Sequence, residues 1–260
     1  MQNQTRIVIE NVTPQLDGGV NPIKRIVNQR VNVSADVFSD GHDVIECCVK
    51  YKHENDKKWR EVRMEPTVND SWNASFKVEK QGFYTYFIEG WVDYALNWQH
   101  GTLRKIQDNQ YVKSELLEGA EYVNAILDLV DSNEKDYLKT IAYYFTTEHE
   151  YDNAIREATS AHLNEIFKKN PIRFIENKSL ELKVYVDRKK ALFSTWYEFF
   201  PRSASAEEGK HGTFKDCEKL LPRVAAMGFD TLYFPPIHPI GEVNRKGKNN
   251  ATNAQKGDVG

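Results

Sequence analysis

The spacing of apolar residues changes along the chain, and this change constrains the fold more than any other sequence feature. Up to about residue 113, apolar and polar residues alternate in short runs, whereas residues 114–170 carry apolar residues at three- and four-residue intervals. The first period is that of half-buried strands and the second that of amphipathic helices. After about residue 190, two short apolar runs flank one helical pattern. We therefore predict three segments of different secondary structure.

The first segment predicts an antiparallel sandwich. Residues 31–37 and 72–78 alternate strictly between apolar and polar side chains, as half-buried strands do. Asp40-Gly41 and Gln81-Gly82 separate such runs at the spacing of strand-connecting turns. Strand character returns at residues 180–186. We predict an immunoglobulin-like β-sandwich formed by residues 1–113 and completed by residues 171–189.

The second segment, residues 114–170, predicts two or three helices. Ser132-Asn133 and Thr147 are the predicted N-caps, and Asn170-Pro171 is the predicted end of the last helix. A few amphipathic helices cannot bury their apolar stripes alone, so we expect them to pack on the sandwich or on another chain. We therefore predict that these residues form a helical insert within the sandwich.

The third segment has the order strand, loop, helix, strand, with the strands at residues 191–197 and 231–234. This order is that of a βαβ unit, whose strands are parallel. Two strands and one helix do not make a stable domain. Unless these residues pack back on the sandwich, the chain is the front end of a larger protein. We predict that residues 190–260 are the first βα units of a (β/α)8 barrel, which is incomplete here.

The helix of this third segment is predicted from Thr213 to Met227. Thr213 is its expected N-cap, Asp216 stands three residues later as in a capping box, and Gly228 suits the position after the last turn. Pro222 lies inside the helix and should kink it or divide it into two.

Composition excludes several classes of protein. The chain has 35 Lys and Arg residues and 38 Asp and Glu residues, and no long basic run occurs. This charge balance disfavours a nucleic-acid partner. Residues 1–6 lack an apolar signal segment, and no uninterrupted apolar stretch could span a bilayer. We expect a cytoplasmic protein without a membrane partner. The three cysteines and the histidines lack ligand spacing, so we expect neither a disulfide framework nor a metal site.

The third segment also carries an ordered series of motifs. They are Ser194-Thr195-Trp196-Tyr197-Glu198-Phe199-Phe200-Pro201-Arg202-Ser203, His211-Gly212-Thr213-Phe214, Tyr233-Phe234-Pro235-Pro236-Ile237-His238-Pro239-Ile240-Gly241 and Arg245-Lys246-Gly247-Lys248-Asn249-Asn250. This series resembles the start of the catalytic barrel in bacterial α-1,4-glucan:maltose-1-phosphate maltosyltransferases, members of the α-amylase superfamily (glycoside hydrolase family 13). Less specific motifs extend the resemblance upstream, at Gly41-His42-Asp43 and Trp91-Val92-Asp93.

The resemblance implies a domain order and an activity. Members of this family carry a β-sandwich, a helical insert that helps to form the homodimer, and the barrel. They transfer maltosyl units from α-maltose 1-phosphate to the non-reducing ends of α-1,4-glucans with retention of configuration, and no cofactor is expected. The implied role is glycogen or α-glucan synthesis. Such a transfer needs two carboxyl groups about 5–5.5 Å apart, which the family takes from later barrel strands. We therefore expect no catalytic residue in this chain and no activity from it alone.

The resemblance also places candidate substrate-binding residues. Lys246 and Asn250 match positions of the family motif that contact the maltose 1-phosphate donor, with Arg245, Asn249 and His238 as supporting candidates. A sugar phosphate needs a cation and amide donors for its oxygens. The alternative is that residues 245–248 are only a solvated basic loop. His238 either lines the sugar site or hydrogen-bonds the loop backbone.

Other residues leave alternatives open. Glu198 at the end of the first strand is expected to pair with Arg202 rather than to act as an acid. Trp59, Trp72, Trp91 and Trp98 could form a sugar-stacking platform, although Trp72 and Trp91 lie in strand runs and fit the core better. The alternative function is a non-catalytic module in which the sandwich binds α-glucan and the helices dimerise the chain.

Overall fold

The computed structural model describes residues 6–238 and 241–258. The chain divides into two compact units, residues 1–188 and 189–260. The strands are β1 Ile7–Thr13, β2 Ile23–Ile26, β3 Arg30–Ser39, β4 Ile45–His53, β5 Arg60–Arg63, β6 Glu65–Pro66, β7 Ser71–Lys77, β8 Gly82–Asp93, β9 Arg173–Lys178, β10 Leu182–Asp187, β11 Trp196–Glu198 and β12 Thr231–Tyr233. The α-helices are α1 Tyr94–Gln107, α2 Lys113–Ala125, α3 Ser132–Thr146, α4 Tyr151–Ala158, α5 Ala161–Lys169 and α6 Phe214–Ala226.

Two sheets make up the strand-rich part of the first unit. The smaller has the order β1-β3-β7-β6, and the larger has the order β2-β10-β8-β4-β5 with β9 also paired to β8. Strand β10 is antiparallel to β8 and parallel to β2. The strand predicted after the helices therefore does join the sheet built by the first hundred residues. The β-rich N-terminal region is confirmed, and its immunoglobulin-like class stays a prediction.

Apolar side chains from both sheets form one core. In β3 the predicted alternation is confirmed, because Val31, Val33, Ala35 and Val37 are buried and their neighbours are less so. Residues of β4, β7, β8 and β10 complete this core. Burial of apolar surface on this scale is the main term that stabilises a sheet pair.

The helices of the first unit begin earlier than predicted. Strands were expected up to residue 113, but α1 occupies Tyr94–Gln107 and packs with α2 to α5 around a second core. Over residues 114–170, where two or three helices were predicted, the structure has four, α2 to α5. Asp93 begins α1, since its carboxylate accepts a hydrogen bond from the Leu96 N–H at 3.1 Å and so caps the helix. The buried residues of α1 follow helical spacing: Ala95, Leu96, Trp98, Gln99 and Thr102.

The predicted helix boundaries are partly right. Helix α3 is capped by Asp131, whose carboxylate accepts from the N–H groups of Asn133 and Glu134, and not by Ser132-Asn133. Thr147 precedes a short 3-10 turn and makes no side-chain cap. The predicted end at Asn170 is confirmed, because α5 ends at Lys169.

The second unit contains the predicted βαβ order. Strands β11 and β12 are parallel, with Trp196 opposite Thr231 and Glu198 opposite Tyr233. Helix α6 contains Pro222 and remains one helix, so the predicted division into two is wrong. Because Pro222 is exposed, the backbone carbonyl that loses its partner faces water.

The second unit buries little of its own apolar surface. The described apolar side chains that it buries are those of Cys217, Val224 and Pro235. Its large exposed apolar side chains are those of Leu192, Phe193, Trp196, Phe200, Phe214, Leu221, Met227, Tyr233, Ile237 and Val243. Two strands and one helix cannot cover both faces of their sheet, which accounts for the exposure of these side chains. The barrel assignment stays a prediction.

Candidate functional site

A cleft lies at the edge of the two-stranded sheet where both strands end. Because β11 and β12 are parallel, the segments that follow them lie at the same edge, which is where barrels and open α/β sheets bind ligands. The cleft has a volume of about 540 Å³. It is lined by Phe200, Pro201, Arg202, His211, Gly212, Thr213, Phe214, Pro235, Pro236, Ile237 and His238. Pro239 and Ile240 of the same motif lie outside the described residues.

Gly212 allows the two chain segments on one side of the cleft to approach each other. Its N–H donates to the carbonyl of Arg202 at 2.8 Å. A Cβ atom at position 212 would meet the backbone of Ser205 at 2.7 Å and of Ala204 at 3.0 Å. A larger residue would therefore force these segments apart and reshape the cleft.

The N-terminus of α6 also borders the cleft. The N–H and hydroxyl of Thr213 donate to one oxygen of Asp216 at 2.9 and 2.8 Å, and Lys219 donates to the other at 2.8 Å. The bond from Lys219, followed by those from Thr213, holds the pKa of Asp216 well below its usual range. The predicted N-cap is confirmed. Because the Asp216 carboxylate already accepts hydrogen bonds at the N-terminus of α6, a phosphate bound near this helix end needs other hydrogen-bond donors.

His238 lines the cleft together with Arg202 and His211. The predicted ion pair between Glu198 and Arg202 does not form in the described part of the chain, where Arg202 contacts no carboxylate within 4.0 Å. The reason lies in the backbone, since the strand ends at Glu198 and Arg202 lies in a 3-10 turn, Pro201–Ala204.

The other predicted site residues lie on the loop after β12. Lys246, Asn249 and Asn250 are exposed, and Arg245 is half-buried. The Arg245 guanidinium donates to the backbone carbonyl of Asp258. None of these four residues is among those that line the cleft with His238. The cleft lining therefore brings His238 together with Arg202 and His211, and it does not include the four loop residues.

The loop has a defined conformation of its own. Asn249 and Asn250 adopt positive φ values of 53° and 61°, which asparagine tolerates better than most residues. A Cβ at Gly247 would meet the carbonyl of Asn253 at 2.7 Å and a carboxylate oxygen of Asp258 at 2.8 Å. That same oxygen accepts from the Gln255 N–H at 2.7 Å. Asp258 therefore helps to close the loop, with Gly247 packed against it.

The tryptophans have different environments. Trp72, Trp91 and Trp98 are buried, which confirms the core interpretation of Trp72 and Trp91. Trp59 is 36% exposed, and no sequence pattern separated it from Trp98.

Neither a metal cluster nor a membrane helix is found in the described residues. No group of three or more His, Cys, Asp or Glu side chains there is placed to hold a metal ion. None of the helices described has the length and apolar content needed to cross a bilayer. Cys47, Cys48 and Cys217 are buried free thiols, and burial raises the pKa of Cys48 to about 12, which disfavours its reactive thiolate.

Comparison with known proteins gives a consistent result. Residues 5–188 match the family described as alpha-1,4-glucan:maltose-1-phosphate maltosyltransferase, domain N/S. The chain is similar to proteins named alpha-1,4-glucan:maltose-1-phosphate maltosyltransferase from three bacteria. The identity is 42% for Methylacidiphilum infernorum over 100% of this chain and 39% of the relative. The identity to the Chlorobaculum tepidum protein is 43%, over 98% of this chain and 38% of the relative. The identity to the Myxococcus xanthus protein is 38%, over 98% of this chain and 39% of the relative.

Two facts follow from these matches. The chain spans about two fifths of the length of the curated relatives that it matches, and it corresponds to their N-terminal portion. The match covers the whole first unit apart from its first four residues. The chain belongs to the alpha-1,4-glucan:maltose-1-phosphate maltosyltransferase family.

Proposed function

We propose that this chain is the N-terminal part of a retaining maltosyltransferase that moves maltosyl units from α-maltose 1-phosphate to the non-reducing ends of α-1,4-glucans. The observation that carries the proposal is the cleft beyond the carboxyl ends of β11 and β12. Barrel enzymes place their substrates at this end of their strands. Membership of the maltosyltransferase family supplies the identity of the two substrates.

Lys246 and Asn250 are the proposed donor-binding residues. Both side chains are exposed, and Lys246 forms no ion pair with any described residue, so its ammonium is available to a phosphate. The asparagine amide can donate to a sugar hydroxyl or a phosphate oxygen. Arg245 and Asn249 are proposed to support them, since Arg245 ties the loop to the backbone of Asp258. His238 is proposed to line the sugar site from the cleft.

The second unit is proposed to be the start of the catalytic barrel. Its many exposed apolar side chains support this proposal, because further strands and helices would cover them. The carboxyl groups that retaining transfer requires are proposed to come from those later strands. The 260-residue chain alone is therefore proposed to be inactive.

The helical insert is proposed to form a homodimer. Leu117 of α2 is 47% exposed and Tyr143 of α3 is 51% exposed. Large apolar side chains at the surface of a helical layer support a contact with a second copy. Sedimentation of the chain with Leu117→Lys and Tyr143→Lys would test it, and an unchanged mass relative to wild type would contradict it.

The test of the activity is phosphate release from maltose 1-phosphate with glycogen as acceptor. It is measured on this chain and on the full-length protein, and activity is expected only in the full-length protein. Turnover by the 260-residue chain would contradict the assignment of catalysis to later strands. Inactivity of both would leave the non-catalytic α-glucan-binding module as the better proposal, for which the exposed ring of Trp59 is the supporting observation.

A further inference from the structure

The outer face of the larger sheet carries two pairs of aromatic side chains, which we call the aromatic face. The first pair is Trp59 and Phe87, with ring centroids 4.9 Å apart and an edge-to-face angle of 76°. The second pair is Phe83 and Tyr185, with centroids 5.2 Å apart. Trp59, Phe83 and Tyr185 are 36%, 42% and 37% exposed. Three large rings at the surface of one sheet are unusual unless something binds there.

The two pairs lie on the same side of the sheet. Phe83 and Phe87 belong to β8 and stand four residues apart, so their side chains point to the same face. Tyr185 of β10 is the cross-strand partner of Phe83. At the rise of a strand, the two pairs are separated by about 13 Å along β8. The two pairs are too far apart to contact the same sugar ring. They are placed to contact two segments of one extended ligand chain.

The surface between the two pairs is polar. Thr85 lies midway along β8, and its cross-strand partners are Lys183 on one side and Lys52 on the other. A threonine and two lysines therefore occupy the register positions between the two aromatic pairs, and they supply a hydroxyl and two ammonium donors to this part of the face. The Lys52 ammonium lies 4.6 Å from the centroid of the Trp59 ring. Such an exposed cation–π contact is weak, so a ligand can replace it.

This combination matches a neutral polysaccharide. Sugar rings present flat apolar faces that stack on aromatic side chains, and their edges carry hydroxyl groups that pair with hydroxyl and ammonium donors. We propose that the aromatic face binds α-1,4-glucan, with one glucosyl segment on Trp59 and another on the Phe83–Tyr185 pair. The identity of the glucan rests on the proposed function, whereas the location rests on the rings themselves.

The pattern does not suit a protein partner as well. A stable protein interface has a continuous, well-packed apolar centre from which charged residues are depleted. Here the register positions of Thr85, Lys52 and Lys183 lie between the two aromatic pairs, and the Lys52 ammonium lies over one of the rings. The separation favours a long, narrow and hydroxylated ligand.

The test is direct binding of glucan to the 260-residue chain without any donor. Affinity electrophoresis in glycogen and tryptophan fluorescence with maltoheptaose measure the affinity of wild type, Trp59→Ala and the double variant Phe83→Ala/Tyr185→Ala. Each variant is expected to bind at least about fivefold more weakly. The matched control is Tyr111→Ala, because Tyr111 is 69% exposed and lies on a helix connection outside the sheet. Its affinity should equal that of wild type.

Each outcome decides the proposal. No binding by wild type, or equal binding by all variants, would overturn it. Loss of self-association in Trp59→Ala without any change in glucan affinity would assign the face to a protein contact and overturn it as well. The wild-type fluorescence titration does not depend on any variant folding. Failure of the proposed function is distinguishable, because it would appear as absent maltose 1-phosphate turnover in the full-length protein while the 260-residue chain still bound glucan.

Discussion

The guanidinium of Arg173 lies 4.3 Å from the centroid of the buried Trp91 ring. The guanidinium of Arg63 lies 4.4 Å from the same ring and donates to the carbonyl of Lys168 at 2.8 Å, where α5 ends. Two cations therefore share one indole between the larger sheet and the helices. Arg173 connects further to Glu89 at 2.6 Å and Glu61 at 2.8 Å. This arrangement fixes the last turn of α5 against the sheet.

Replacing Arg173 by methionine should destabilise the protein by about 2–3 kcal/mol. The side chain is mostly buried, and its loss leaves Glu89 with Lys50 as its described cationic partner. Urea unfolding measures the change. Glu176→Gln, an exposed position on the same strand, is the control and should stay within about 0.5 kcal/mol of wild type. Equal free energies of unfolding for Arg173→Met and Glu176→Gln would show that the contacts of Arg173 contribute nothing to stability.

Gly119→Ala and Gly101→Ala should change stability in opposite directions. A Cβ at Gly119 in α2 would overlap the ring of Trp98, whereas a Cβ at Gly101 in α1 would meet nothing within 4 Å. Trp98 is held in place by a hydrogen bond from its indole N–H to the carbonyl of Glu115 at 2.6 Å. Overpacking at Gly119 should destabilise by about 1–3 kcal/mol, and Gly101→Ala should stabilise by about 0.5–1 kcal/mol. Thermal melting of both variants tests this, and the same sign for both would contradict the packing of Trp98 on α2.

Asp93→Asn should change how stability depends on pH. Burial raises the pKa of the Asp93 carboxyl above its ordinary value. The folded state therefore keeps this proton to a higher pH than the unfolded chain, and wild type loses stability as pH rises from about 3.9 through the folded-state pKa. Asparagine keeps the cap on α1 without a charge. The stability of wild type minus that of Asp93→Asn should therefore fall with rising pH over this window.

The control for this experiment is Asp93→Ala. It removes the charge and the cap together, so it should be less stable than Asp93→Asn by about 1 kcal/mol at every pH. Urea titrations between pH 3.5 and pH 7, a range chosen to start near the ordinary carboxyl pKa of about 3.9, provide the comparison. If the stability difference between wild type and Asp93→Asn stays constant across this pH range, Asp93 has the same pKa in the folded and unfolded states.

Lys246→Ala in the full-length protein should raise the KM for maltose 1-phosphate by about 10- to 100-fold, as expected for a lost charged hydrogen bond. Lys256→Ala removes the same exposed charge from the same loop and should leave KM within about twofold. Steady-state phosphate release distinguishes the two variants. Equal effects on KM would mean that the loop attracts the donor only by its net charge.

Much of the fold follows from local patterns. The strand alternation at Val31–Val37 and the capping residues Thr213 and Asp216 are each determined by neighbours within a few residues, and the structure confirms them. Helix α1 could not be found in the same way, because it begins at Tyr94 directly after β8 ends at Asp93, with no turn residues between them. The sequence signal for the start of α1 was Asp93, which lies three residues before Leu96. An aspartate at such a position can cap a helix, but it can equally follow the end of a strand.

The site was less accessible to sequence reasoning. The positions of Lys246 and Asn250 came from a motif, and no local pattern places that loop relative to His238. The expected pairing of Glu198 with Arg202 failed because the turn at Pro201 intervenes. The burial of Trp91 within β8 could be expected from its strand pattern, whereas Trp59 lies just before β5 and its exposure depends on the order of the strands in the sheet.

The position of β10 between β8 and β2 also determines when the larger sheet can be assembled during synthesis. Strand β8 ends at Asp93, but the strand that joins it to β2 does not begin until Leu182. The helices α1 to α5 are built from contacts close in sequence and can form first, since such contacts are fast to make. Until β10 leaves the ribosome, Ile23 of β2 lacks the strand that it pairs with in the described structure, and β8 at Tyr84 is paired on one side only, with β4. The nascent chain therefore passes through a stage with a folded helical layer and an open sheet edge, which is the stage most exposed to misassociation.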